Sequence, residues 1–111
     1  MIRDVAEIEL LDEVVEWLDS LTGAELERVV GVVDRLAGLG SRARMPFSRS
    51  LGGGLFEIRF TLGSTSRRIT YRFTADGRIV LLTTFRKQRN NERTEIDRAR
   101  KAAMTDGVEH P

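Results

Sequence analysis

The sequence predicts an α+β fold, in which an N-terminal helical hairpin packs on a small antiparallel β-sheet and one further helix closes the C-terminus. Three observations predict it. Apolar residues recur every three or four positions through residues 4–37. Period-two alternation replaces that spacing through residues 55–85, and a sparse helical pattern returns beyond residue 91.

The first helix is predicted over residues 4–20, with Val5, Ile8, Leu11, Val14 or Val15 and Leu18 on one side and acids on the other. Residues 2–6 are open to a short edge strand ahead of it. Ser20-Leu21-Thr22-Gly23 breaks the pattern, and Thr22-Gly23-Ala24-Glu25 has the form of a capping box. The second helix then runs to about Ala37 on a stripe of Leu26, Val29, Val30, Val33 and Leu36, stopped by Gly38 and Gly40.

Residues 41–54, with Pro46 and the run Gly52-Gly53-Gly54, read as a loop. Three strands follow. In residues 55–62, Phe56, Ile58, Phe60 and Leu62 point one way, and Leu55, Glu57, Arg59 and Thr61 the other. In residues 67–73, Ile69, Tyr71 and Phe73 share a face, opposite Arg68, Thr70 and Arg72. Residues 78–85 are nearly all apolar or β-branched, as suits a strand covered on both sides. Gly63-Ser64-Thr65-Ser66 and Ala75-Asp76-Gly77 are hairpin links, so the strands form a meander with its Phe/Ile/Tyr face under the helices. The last helix is predicted from near Asn91 to about Met104, on Ile96, Ala99 and Ala103. A single domain over residues 1–104 and a disordered tail over 105–111 are therefore expected.

Composition narrows the function. Without cysteine, disulfides and thiolate metal sites are excluded. The one histidine, His110, is next to the C-terminus and reads as a passive surface residue, so serine–histidine or cysteine–histidine catalysis is a poor reading. Acids from Glu7 onward interrupt any signal peptide, and no stretch approaches the ~20 apolar residues of a membrane span. The expected compartment is the cytoplasm. A net charge of +1 hides an asymmetry: residues 1–40 hold three arginines against ten acids, a net of −7. Residues 41–111 hold fifteen Lys/Arg against seven acids, a net of +8. An acidic face and a phosphate-seeking basic face follow.

Phase sharpens that reading. Arg59, Arg68 and Arg72 all face away from the helical hairpin, and Arg86-Lys87-Gln88-Arg89 emerges from the third strand with Arg93 just beyond. Each guanidinium offers a planar fork matched to phosphate oxygens. The opposing acids are few, Glu57 and the turn residue Asp76. The expected occupant is a polyanion, RNA above all.

Four motifs stand in the order and spacing of a known family: Gly54-Leu55-Phe56-Glu57-Ile58-Arg59, Arg68-Ile69-Thr70-Tyr71, the strand and its exit over residues 79–87 with Phe85-Arg86-Lys87, and Glu95-Ile96-Asp97-Arg98-Ala99. Over residues 8–103 the chain resembles the RelE/ParE superfamily, and within it the HigB-like, phage-derived branch. The resemblance implies a RelE-like fold and the toxin of a type II toxin–antitoxin pair. It implies a ribosome-dependent endoribonuclease that cuts mRNA by attack of the ribose 2′-hydroxyl, with no metal or other cofactor. A helix-turn-helix antitoxin would hold it inactive. The family's catalytic positions fall on Arg59 and Arg68, which would stabilise phosphoryl charge, and on Lys87, which would assist the attacking hydroxyl. Arg72, Arg86, Arg89 and Arg93 would hold RNA phosphates.

The chain departs from the family pattern in places. Gln88 replaces the second strand-end lysine, with Arg89 a candidate substitute, and no proline precedes the last helix. Asp97, read as a solvated helix residue, stands where some members carry a catalytic tyrosine. Tyr71, like Trp17, reads as core. The alternative functions are a ParE-like gyrase inhibitor, or a decayed, non-catalytic homologue serving as a binding protein. A plain RNA-binding module would need an aromatic platform, yet Phe56, Phe60 and Phe73 all point inward.

Overall fold

Alternation through three successive segments builds the central sheet, and a computed structural model describes it within residues 5–109. His110 and residues 2–4 of the suggested edge strand lie outside the described residues. The elements run β1 (Ile8–Leu10), α1 (Asp12–Asp19), α2 (Gly23–Leu39), a 3₁₀ turn (Gly40–Arg42), β2 (Ser48–Gly52), β3 (Leu55–Leu62), β4 (Thr65–Phe73), β5 (Ile79–Arg86) and α3 (Glu92–Glu109). Strand order is β1-β5-β4-β3-β2, with β2 through β5 antiparallel and β1 parallel to β5. Among the described residues, no helix is long and apolar enough to cross a membrane.

The three central strands fall where alternation predicts them, and α2 begins on its capping box. Thr22 Oγ1 accepts from the Glu25 amide at 3.3 Å, and the Thr22 amide donates to Glu25 Oε1 at 2.9 Å. The buried stripe of α2 is Val29, Val32, Leu36 and Ala37, whereas Val30 and Leu26 are exposed. The stripe is thus rotated by part of a turn from the predicted one.

Four expectations need correction. Ile8–Leu10 is a strand rather than the first turns of a helix. Ala6, Ile8 and Leu10 alternate with Glu7 and Glu9, which suits period two as well as period 3.6, and the free edge of β5 decides between them. The predicted loop over 41–54 contains β2, where Ser48 is buried to meet the Tyr71 hydroxyl. Two edge strands therefore flank the predicted three-strand meander. Finally, α3 continues to Glu109 instead of ending near Met104. Asp106 is buried and ion-paired with Arg72, which holds the extra turn on the sheet.

Both faces of the sheet are covered. The α1–α2 hairpin buries Val14, Val29, Val32 and Leu36 against Ile58, Phe60, Ile69, Tyr71, Ile79 and Leu81. On the opposite face, α3 brings Ala99, with Ile96, Ala102 and Ala103, onto Leu55, Val80 and Leu82. This explains why β5 is buried along all but its last residue. The second cluster is small, and the same face also buries polar and charged side chains, Thr70 against Thr83 and Glu57 beside Arg68.

Candidate functional site

Arg59 on β3 and Arg68 on β4 are directly opposite in the antiparallel register, so both project from the same face. Arg68 is buried, and its Nη1 donates to Ser66 Oγ and to the Arg67 carbonyl, each at 3.0 Å. Arg59 is half-buried and its Nη1 reaches Met45 Sδ at 3.5 Å. Two guanidinium groups side by side repel each other unless a negative charge stands between them.

Glu57 supplies that charge. It is buried on the same face, with Oε2 3.6 Å from Arg68 Nε and 3.8 Å from Arg59 Nε. Both distances exceed those of hydrogen bonds, so the carboxylate orients the two groups without engaging their outer forks. The one carboxylate between them does not balance two guanidinium charges, and Glu92 at the start of α3 acts on both Glu57 and Arg68 from nearby. Burial pushes the Glu57 carboxyl above its usual range, opposed by Arg68, Arg49 and Arg59. Burial likewise lowers Arg68, and neighbouring Arg59 adds to this. Behind Glu57, Arg49 on β2 pairs with Glu92 at the start of α3 at 3.0 Å.

A groove of about 470 Å³ opens beside this pair. β2 is registered with β3 only as far as Ile58, with the Phe47 carbonyl accepting one step beyond from the Arg59 amide. Past that point the edge of β3 is open toward α2. Arg28, Gly31 and Arg35 of α2 line one wall, and Arg59 and Arg68 the other. A larger groove of about 730 Å³ lies at the opposite end of the sheet. Its lining arginines are already engaged: Arg42 donates to the Gly38 carbonyl, and Arg78 pairs with Asp76 and Glu9.

Of the other residues singled out from sequence, Lys87 is brought to the same end. Its amide donates to the Ser66 carbonyl at 2.8 Å, which zips the exit of β5 onto the start of β4, and its Nζ donates to the Gln88 carbonyl. Arg72 is not brought there. It lies four residues along β4 from Arg68, roughly 13 Å at strand spacing, and is ion-paired with buried Asp106 of α3. Arg86 is opposite Arg67 in the register, on the hairpin face rather than with Arg68. Arg89 and Arg93 are exposed beyond β5, as is Asp97 on α3. Tyr71 is core, its hydroxyl hydrogen-bonded to Ser48. Trp17 is half-buried, packed against Phe60 and covered by the Arg67 guanidinium 4.4 Å from its ring centre.

The sequence profile of the phage-derived Gp49-like proteins (DUF891) matches residues 16–104. The chain belongs to that family. The Gp49-like chain also has close structural likenesses. A double-mutant form of toxin RelE of E. coli, in the free state, superposes with a TM-score of 0.55 at 9% identity, over 72% of this chain and 81% of that one. The RelE–RelB complex of Pyrococcus horikoshii gives 0.56 at 25% identity, over 77% and 98%. The fold is RelE-like. No curated protein matches the chain at significance.

Three residues of the site escaped the sequence reading. Strand phase places Glu57 on the arginine face but does not show that both arginines share it. Arg28 and Arg35 belong to the acidic half of the sequence, yet helix α2 presents them toward the sheet edge. The signal that finds them is their seven-residue spacing, two helical turns, with Gly31 between.

Proposed function

We propose that this Gp49-like chain is the toxin of a type II toxin–antitoxin pair and that it cuts mRNA on the ribosome. The observation that carries the proposal is the Arg59–Arg68 pair, projecting together from one sheet face over a single shared carboxylate. The RelE-like fold supports it, since the compared proteins are a toxin RelE and a RelE bound to RelB. A cognate antitoxin, of helix-turn-helix type, is the proposed protein partner, and the cytoplasm the proposed compartment.

In the proposed reaction the 2′-oxygen attacks the adjacent phosphorus and the bond from phosphorus to the 5′-oxygen breaks. A 2′,3′-cyclic phosphate and a free 5′-hydroxyl result, the proton lost from the 2′-oxygen being balanced by the one gained at the 5′-oxygen. Negative charge accumulates on the non-bridging oxygens during the step. Arg59 and Arg68 meet it with donors fixed before the reaction begins, so no reorganisation is needed as the charge develops. Lys87, tethered at the same end through Ser66, steadies the attacking oxygen. Arg89 and Arg93, exposed past β5, hold flanking phosphates. Arg72 and Arg86 have no part in this scheme, one being paired to α3 and the other on the far face.

Induced expression is expected to halt growth and to create new 5′ ends within translated transcripts. Arg59→Ala and Arg68→Ala should abolish both. Transcript-end mapping after induction decides the matter: unchanged cleavage in both variants overturns the site, and DNA damage signalling without mRNA loss favours gyrase as the target instead.

A further inference from the structure

The groove has a second wall to which the reaction above gives no task. Arg28 and Arg35 are about 10.5 Å apart along α2, on one face of the helix. Gly31 stands between them, and nothing lies within 4 Å of where its Cβ would be. Any larger residue would place a side chain in the groove between the two guanidinium groups. Both arginines are exposed yet held. Arg28 Nε donates to the Thr61 carbonyl at 3.4 Å, and the Arg35 guanidinium rests 4.2 Å from the Phe47 ring centre. Among the described residues neither makes an ion pair, and no carboxylate lines the groove. A solvated helix face would leave such side chains free and mix them with acids. Here two anchored, uncompensated forks face the Arg59–Arg68 pair across a space too large for one phosphate.

We propose that Arg28 and Arg35, across Gly31, form a second phosphate subsite that holds the backbone of the single-stranded RNA being cut, next to the phosphate gripped by Arg59 and Arg68. The inference rests on the RNA-cleaving reading for the identity of the occupant. The strand runs along the open edge of β3, between helix and sheet, and α2 fixes its register relative to the scissile bond. Arg28 and Arg35 are positioning residues in this scheme.

The test uses the full chain and a short fluorescent single-stranded RNA made uncleavable by 2′-O-methylation, with anisotropy read between about 50 and 200 mM salt. Arg28→Gln and Arg35→Gln should each flatten the log–log salt dependence by about 0.7, the value of one released counterion on a single strand. Gly31→Glu should weaken binding as much as both together, and Lys101→Gln, the same charge removed from an exposed site on α3, should leave the slope as it is. Unchanged melting temperatures in the glutamine variants would show that the fold is intact. If the Arg28→Gln/Arg35→Gln double variant keeps the parent's slope while Arg59→Gln and Arg68→Gln flatten it, the subsite is overturned and the proposed activity stands. Loss of ribosome co-sedimentation with unchanged oligonucleotide binding also overturns it, assigning the wall to ribosomal RNA; loss of binding to an acidic protein partner alone assigns it to that partner. Intact transcript cleavage in Arg59→Ala and Arg68→Ala removes the activity itself, whatever the slopes.

Discussion

Arg68 and Arg72 occupy the same face of the same strand, four residues apart, and have opposite fates. Arg68 shares Glu57 with Arg59 beside an open groove. Arg72, 24% exposed, is bound to Asp106 of α3, a carboxylate that is 1% exposed. Strand phase made them equivalent. What separates them is the partner each meets, since Arg72 has a carboxylate of α3 to itself and Arg68 shares one with Arg59. A charged residue on a strand therefore reads as a ligand-binding group only after the layer above it is known.

The largest effect expected from this contrast is at the Arg59–Arg68 pair. Arg59→Ala should lower the rate of transcript cleavage by about 10²–10³ with little loss of stability, because a transition-state donor is removed from a half-buried position. Single-turnover cleavage on programmed ribosomes measures it. A decrease of the same size in Arg72→Ala, compared per folded molecule, would erase the contrast.

At Arg72 the effect should appear in stability. Asp106→Ala leaves the Arg72 guanidinium, itself 24% exposed, without its carboxylate. Urea unfolding should show a loss of about 2–3 kcal/mol, below the range for a wholly buried pair because water still reaches Arg72. Cleavage per folded molecule should be unchanged.

Glu57 links the two quantities. Its folded carboxyl titrates above its ordinary 4.5, chiefly through burial, so the folded state holds the proton more tightly than the unfolded chain. This group therefore costs nothing at pH below 4.5 and destabilises progressively as pH rises through its folded value. Glu57→Gln should remove that decline, so its stability relative to the parent rises with pH across the window. Cleavage should fall on the order of tenfold, because the two guanidinium groups lose their common orienting charge. Denaturant titrations at stepped pH, paired with cleavage rates, test both parts; a parallel pH profile in the two proteins would refute the first.

The smallest effect is at the start of α2. Thr22→Ala breaks the capping box and should cost about 1 kcal/mol in thermal or denaturant unfolding. The helix that carries Arg28 and Arg35 would still form, so RNA binding at saturating protein stability should persist.

Legibility followed the strength of local pattern. β3, β4 and β5 were readable because Phe56, Ile58 and Phe60 and then Ile69, Tyr71 and Phe73 alternate against polar residues. β2 was not, since Ser48-Arg49-Ser50-Leu51-Gly52 carries no apolar alternation and becomes a strand only by pairing with β3. The helical reading of Ile8–Leu10 failed for a related reason: three residues fit either period, and the partner edge on β5 lies some seventy positions away. The extra turn of α3 has no apolar signature at its end; a buried ion pair holds it.

By itself the sequence determined the capping box, the central meander and the shared orientation of Arg59 and Arg68, because these depend on spacing along a single element or on one hairpin register. Tertiary structure alone decided that Glu57 sits between the arginines, that Asp106 removes Arg72, and that Arg28 and Arg35 face the groove. Each of these joins segments remote in sequence, or depends on how one layer lies over another, and side-chain periodicity carries no information about either.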